Sequence, residues 1–229
     1  MNVTKYWSVR NIALAGILVL IKARAEVGKA SYDCMKVDNG LWSSPREVAS
    51  RDSLMPLLAC PAGTDKDTML QVDAVACNWF VARAAEKLFG ATDFTPNENG
   101  HWLNANEIAQ YVGSHGARWT KIGNADSQAA LDAGAQAATD GQLVIAVKIG
   151  DPHGHVALLL PGKPKESGKW KSVVGAALRV PASAAFSLDH VESAYVGCRL
   201  SAAFSNPAIV ELWKRTTVPP MPPTSVRVE

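Results

Sequence analysis

Apolar residues recur at Cys77, Phe80, Val81, Ala84 and Leu88, a spacing of i, i+3, i+4, i+7 and i+11 that stripes one face of a helix. Asp73 stands where a cap opens that helix and Gly90 where one closes it. A second helix is expected from Asn104 through Val112, with Asn104 as cap, Glu107 three residues on, and Ile108, Tyr111 and Val112 turned inward. The alanine-rich stretch Asp126 to Ala138 reads as a third, ending before Gly141. The pattern then changes. Gln142–Ile149 and His155–Leu160 are short apolar runs bounded by Gly and Pro, the mark of buried strands. Lys163–Lys169 reads as a hairpin loop, and Trp170–Val180 and Ala208–Lys214 as two further strands. Helices followed by antiparallel strands predict an α+β fold, N-terminal helices packed on an antiparallel sheet.

The flanks read differently. Residues 1–25 carry Lys5 and Arg10 ahead of an apolar run that is unbroken from Ile12 to Ile21, then Ala23-Arg24-Ala25, a small-x-small pattern. This is the layout of a signal peptide cut after Ala25, with an uncleaved anchor or a buried first helix as the alternatives. The run is short for a membrane span, so no stable span is expected in the mature form. Residues 26–70 are an irregular lead-in broken by Gly40, Pro45, Pro56, Pro61 and Gly63; residues 71–216 form the expected main domain; residues 217–229 are a Pro-rich tail.

Charge and cysteine content narrow the chemistry. The chain is +2 overall, with 23 basic and 21 acidic residues; without the four cations of residues 1–25 the rest is −2. That balance offers no footprint for nucleic acid. The four cysteines are Cys34, Cys60, Cys77 and Cys198. Export favours pairing some of them, and both Cys34–Cys60 and Cys60–Cys198 are compatible with the sequence. No CxxC pair or Cys/His cluster is present, so neither a metal nor another cofactor is expected.

Cys77 opens the strongest helix, where the dipole and unpaired N–H groups favour a thiolate, the species that attacks a carbonyl. A cysteine on an apolar helix face is also an ordinary core residue. His155 begins a strand, after a glycine that leaves room for a substrate backbone; His153, two residues earlier, is its rival in a Pro-His-Gly loop. The helix CNWFVARAAEKLFG, the run GQLVIAV and the strand GHVALLLPG together resemble the NlpC/P60 and CHAP superfamily of papain-like peptidoglycan hydrolases. The motifs C-N-x-F-V and H-V-A-x-x-x-P-G are also similar to amidase toxins delivered between bacteria, covering about residues 70–215.

The resemblance implies a papain-like fold and an exported, periplasmic or secreted cysteine hydrolase. Such an enzyme cuts amide bonds of peptidoglycan stem peptides without metal, through a Cys77 thioester with His155 as base. An immunity protein is the implied partner of a toxin. Gln71, six residues before Cys77, matches the position of an oxyanion donor. The third, orienting residue departs from the family pattern, since Val173–Val180 offers no acceptor side chain; Glu166, Ser167, Ser172 and Asp151 remain open. Asn78 is expected to face solvent, and Trp79, Trp102, Trp119 and Trp170 to pack or to rim a groove. The alternatives are a non-catalytic wall-binding module on the same fold, or a papain-like protease or acyltransferase with another acyl substrate.

Overall fold

The centre of the molecule is a pair of strands buried on both sides. In the computed structural model, which describes Leu54, Leu57 and residues 76–186 and 194–216, β2 (Val144–Lys148) and β3 (His155–Leu159) pair antiparallel, Lys148 opposite His155 and Ile145 opposite Leu158. Nearly every residue of both is buried. Side chains alternate across a strand, so a strand that is apolar at every position needs cover on both faces. Ile145, Val147, Val156 and Leu158 belong to one apolar core; Val144, Ala146, Ala157 and Leu159 belong to the other.

The first core is covered by α1 (Ala76–Phe89) and α2 (Ala105–Ser114). α1 turns inward Phe80, Val81, Ala84 and Leu88, the stripe the sequence predicts. It closes at Gly90, whose φ of 62° lies in the left-handed region where a side chain is strained. The Gly90 and Ala91 amides turn back to the carbonyls of Glu86 and Ala85. α2 carries the expected capping box: the Asn104 side chain accepts from the Glu107 amide at 3.0 Å, and the Asn104 amide donates to the Glu107 carboxylate at 2.8 Å. The second core is covered by α3 (Gln128–Thr139), capped by Ser127, and by a separate hairpin of β4 (Lys165–Lys171) and β5 (Ala177–Val180).

The main sheet runs β1-β8-β2-β3-β6-β7, every neighbouring pair antiparallel. Its outer members are β1 (Trp119–Asn124), β6 (Ala182–Ala185), β7 (Tyr195–Arg199) and β8 (Glu211–Arg215). The α+β class is therefore as expected: helices, then a mostly antiparallel six-stranded sheet with an added hairpin.

Two expectations are corrected. Residues 163–169 are not the hairpin loop, and 170–180 are not one strand. The turn lies at 172–176, where the Ser172 amide donates to the Ala176 carbonyl, the Ser172 hydroxyl accepts from the Ala176 amide, and Gly175 takes a φ of 81°. Lys165–Lys171 is extended because Ser167 and Trp170 anchor it to the second core while its charged residues face out. The strands β1, β6 and β7 were not anticipated: β1 is mostly polar, and β6 is Ala-Ser-Ala-Ala, without β-branched residues. Residues 1–25, the rest of the lead-in and the tail from 217 lie outside the described residues apart from Leu54 and Leu57, which pack on the first core.

At the far corner of the first core the buried Asp93 carboxylate meets Arg215 Nε at 2.6 Å as an ion pair set off the N–H direction, with Arg118 at 3.7 Å. The Tyr111 hydroxyl donates to the same carboxylate at 3.2 Å. Removing one partner of a buried ion pair strands the other charge. Arg215→Met is expected to lower stability by about 3 kcal/mol, read as a fall in the urea unfolding midpoint at constant m-value.

Candidate functional site

Cys77 is the second residue of α1, outside any disulfide and 4% exposed. Its neighbour Asn78, expected to face solvent, is instead buried at 1% exposed, and its amide nitrogen donates to the Leu103 carbonyl at 2.7 Å. That bond ties the start of α1 to the residue preceding the α2 cap. From there α2 reaches the β2–β3 connection. The Asn106 amide donates to the Gly150 carbonyl at 2.9 Å, and the Gly150 amide donates back to Asn106 Oδ1 at 3.1 Å. A side chain amide that pairs both ways with one backbone residue fixes a loop as a strand neighbour would.

Gly154 closes the contact. A Cβ there would meet Asn106 Oδ1 at 2.5 Å, as well as the Lys148 carbonyl and the Ala105 methyl. The space beside this glycine, expected to admit a substrate backbone, is filled by α2 and β2. Glycine is required here for packing. Asn106 is thus the positioning residue that sequence reasoning missed; its only signal is an amide side chain in the first turn of a helix.

His155 is the first residue of β3, as expected, while its rival His153 is exposed in the loop containing the cis Asp151–Pro152 bond. Strand alternation carries the His155 ring to the second core, where it rests edge-on against Phe204 with centroids 5.2 Å apart. Phe204 lies in the segment after β7 and carries no sequence signal for this contact. Cys77 and His155 are therefore linked through the chain of contacts Asn78, Leu103, Asn106 and Gly154, while Cys77 lies in the first core and the half-buried His155 ring faces Phe204 on the other side of the sheet.

Burial, with the Lys148 cation on the paired residue as the second cause, pushes the His155 imidazolium down to a pKa of about 4. The ring is neutral at pH 7.

The remaining expected residues fall as follows. Gln71 lies outside the described residues, as does Asp73. The sheet neighbour of β3 is β6, not the segment 173–180, so Glu166, Ser167 and Ser172 sit on the hairpin. The Ser167 hydroxyl accepts from the Trp170 amide at 2.8 Å, Ser172 holds the turn, and Asp151 is exposed. Trp79, Trp102, Trp119 and Trp170 are all buried; Arg83 lies over Trp102, and Trp170 Nε1 donates to the Phe204 carbonyl at 3.1 Å. They pack. Cys198 is disulfide-bonded to a partner outside the described residues. Among the described residues no group of His, Cys, Asp and Glu could hold a metal ion, and no helix is long and apolar enough to cross a membrane.

A histidine that is neutral when folded and ordinary when unfolded links stability to pH. The unfolded chain binds the extra proton between pH 6.5 and about 4, so stability is complete above 6.5 and is lost as pH falls through that window. The parent is expected to lose up to about 3 kcal/mol across it, and His155→Gln to flatten that part of the profile in urea titrations run from pH 7 to pH 4. No family model matches the chain, and no curated protein matches its sequence.

Proposed function

We propose that the chain is an exported cysteine hydrolase of the NlpC/P60 or CHAP type that cuts amide bonds of bacterial peptidoglycan stem peptides, with Cys77 as nucleophile and His155 as base. One observation carries this reading: the start of the helix holding the Cys77 thiol and the first residue of the strand holding the imidazole are tied to the same helix N-terminus, α2. The resemblance of the two motifs supplies the substrate class. The disulfide at Cys198 supports an oxidising compartment, periplasmic or secreted, in keeping with the signal-like first segment.

In the proposed reaction the end of β3 shifts so that the His155 ring leaves Phe204 and swings around the strand end toward the α1 N-terminus, where it takes the Cys77 proton. The sulfur attacks the scissile carbonyl, and backbone N–H groups at the start of α1 receive the oxyanion, with Gln71 as the second donor. The C–N bond breaks as His155 returns the proton to the leaving amine. Water then attacks the thioester, releasing the acid and restoring the thiol. A depressed imidazolium pKa favours a resting thiol–imidazole pair over a preformed ion pair. Cys77→Ala and His155→Ala are each expected to abolish release of soluble fragments from purified sacculi, monitored by chromatography of the digest; undiminished release by Cys77→Ala would remove the nucleophile.

The burial of Cys77 in the first core and the contact of His155 with the second favour one other reading, a non-catalytic wall-binding module whose thiol is a core residue. On that reading Cys77 resists alkylation in the native protein and sacculi are bound but not cut. On the catalytic reading the acid limb of the rate reports His155 itself. Lys148→Gln removes a cation that opposes the imidazolium, so the limb, expected near pH 4 in the parent, moves to higher pH in a sacculus-release assay.

A further inference from the structure

The hairpin β4–β5 is built on a two-sided plan. Its inner face, with Ser167, Trp170, Leu178 and Val180, is buried against the second core. Its outer face carries exposed Lys169, Lys171 and Arg179, with exposed Lys163 at its base. From 163 to 180 the sequence holds five basic residues against one acid, in a chain that is −2 without its first 25 residues. The tip is apolar. Val173 is 88% exposed and Val174 90%, the two most exposed large apolar residues among those described, and they are adjacent.

The tip is also rigidly presented. Ser172 holds the turn through its amide, carbonyl and hydroxyl, so the valines project from a closed loop. A single exposed valine is ordinary surface. Two at the end of a fixed, cation-flanked projection are not explained by the fold, because neither packs on anything.

We propose that this hairpin docks the protein on an anionic lipid bilayer, the valines entering the acyl–headgroup boundary and the lysines lying among lipid phosphates. The charge pattern selects the partner. Lys171 ends β4 just before the turn, and Lys169 lies two residues further back, about 7 Å along the strand, so the cations trail the tip within reach of the headgroup layer. Each cation near an anionic surface contributes attraction screened beyond a Debye length, and each buried valine adds apolar transfer. A soluble polyanion would satisfy the lysines but leave the valines in water. The inference is independent of the chemistry at Cys77.

The test is co-sedimentation of the full chain with phosphatidylglycerol-containing vesicles and with pure phosphatidylcholine vesicles. The parent is expected to prefer the anionic vesicles and to be released by high salt. Val173→Ser/Val174→Ser is expected to weaken partitioning by about tenfold or more, and Lys169→Glu/Lys171→Glu to remove the preference for anionic lipid. Parent and variants share the first segment, so the difference isolates the hairpin, and all four positions are exposed, so folding is expected to persist by circular dichroism. An environment-sensitive dye on Val174→Cys in a Cys77→Ala background should shift to the blue on anionic vesicles beyond any shift of the Cys77→Ala protein labelled in the same way. A serine variant that sediments like the parent, or a dye that stays solvent-like, overturns the proposal. Loss of binding in the lysine variant alone assigns the surface to a soluble polyanion, which overturns it equally.

Discussion

The burial of β2 and β3 on both faces sets the rest of the architecture. A strand with apolar side chains at every position cannot sit at a protein surface, so two layers must cover it. Helices α1 and α2 meet one side, α3 and the β4–β5 hairpin the other. The alternation of side chains then decides the geometry of the candidate site. It sends Val156 toward the helix that carries Cys77 and turns His155 toward Phe204. Two residues that a sequence motif pairs thus lie in opposite layers, and the only route between them runs around the end of a strand.

That end is held by polar contacts because it lies beyond the apolar core. Asn78 fastens α1 to Leu103, and Asn106 fastens α2 to Gly150. Gly154 lets α2 and the Lys148 backbone close on the connection. Buried amides that find carbonyl and N–H partners across elements specify one arrangement, since each alternative register leaves them unpaired. The positioning of His155 therefore rests on a helix that carries none of the proposed reacting groups.

What was legible in the sequence follows from how local each signal is. α1, α2 and α3 were readable because a helix stripe and its caps lie within a few residues: Phe80 to Leu88 for the first, Asn104 with Glu107 for the second. β2 and β3 were readable because two-sided burial makes an unbroken apolar run. β6 was not, since small residues suffice where Ala182 and Ala184 pack under a helix layer and Ser183 finds Tyr195 and the Cys198 carbonyl. The hairpin turn was misplaced because Pro164 and Gly168 look like turn residues, while the hydroxyl that forms the turn is Ser172. At the site, Cys77 and His155 stood out by residue type and local context. Asn106, Phe204 and Lys148 act through tertiary contacts that no local pattern announces.

The state of His155 constrains what any chemistry here can be. An imidazole desolvated by its layer and opposed by Lys148 takes a proton reluctantly, so it is poorly suited to hold a permanent imidazolium beside a thiolate. On the proposed reading it would serve in a transient role, in which the proton arrives only as the sulfur bonds to a carbonyl and leaves with the amine. Such a base works when substrate binding changes its surroundings, drawing the ring off Phe204 into a site where a negative charge is developing. The buried thiol has the same requirement, because Cys77 in its core is screened from bulk reagents until the end of α1 is engaged. Both groups are thus withdrawn from bulk solvent in the free protein, Cys77 by the first core and His155 against Phe204.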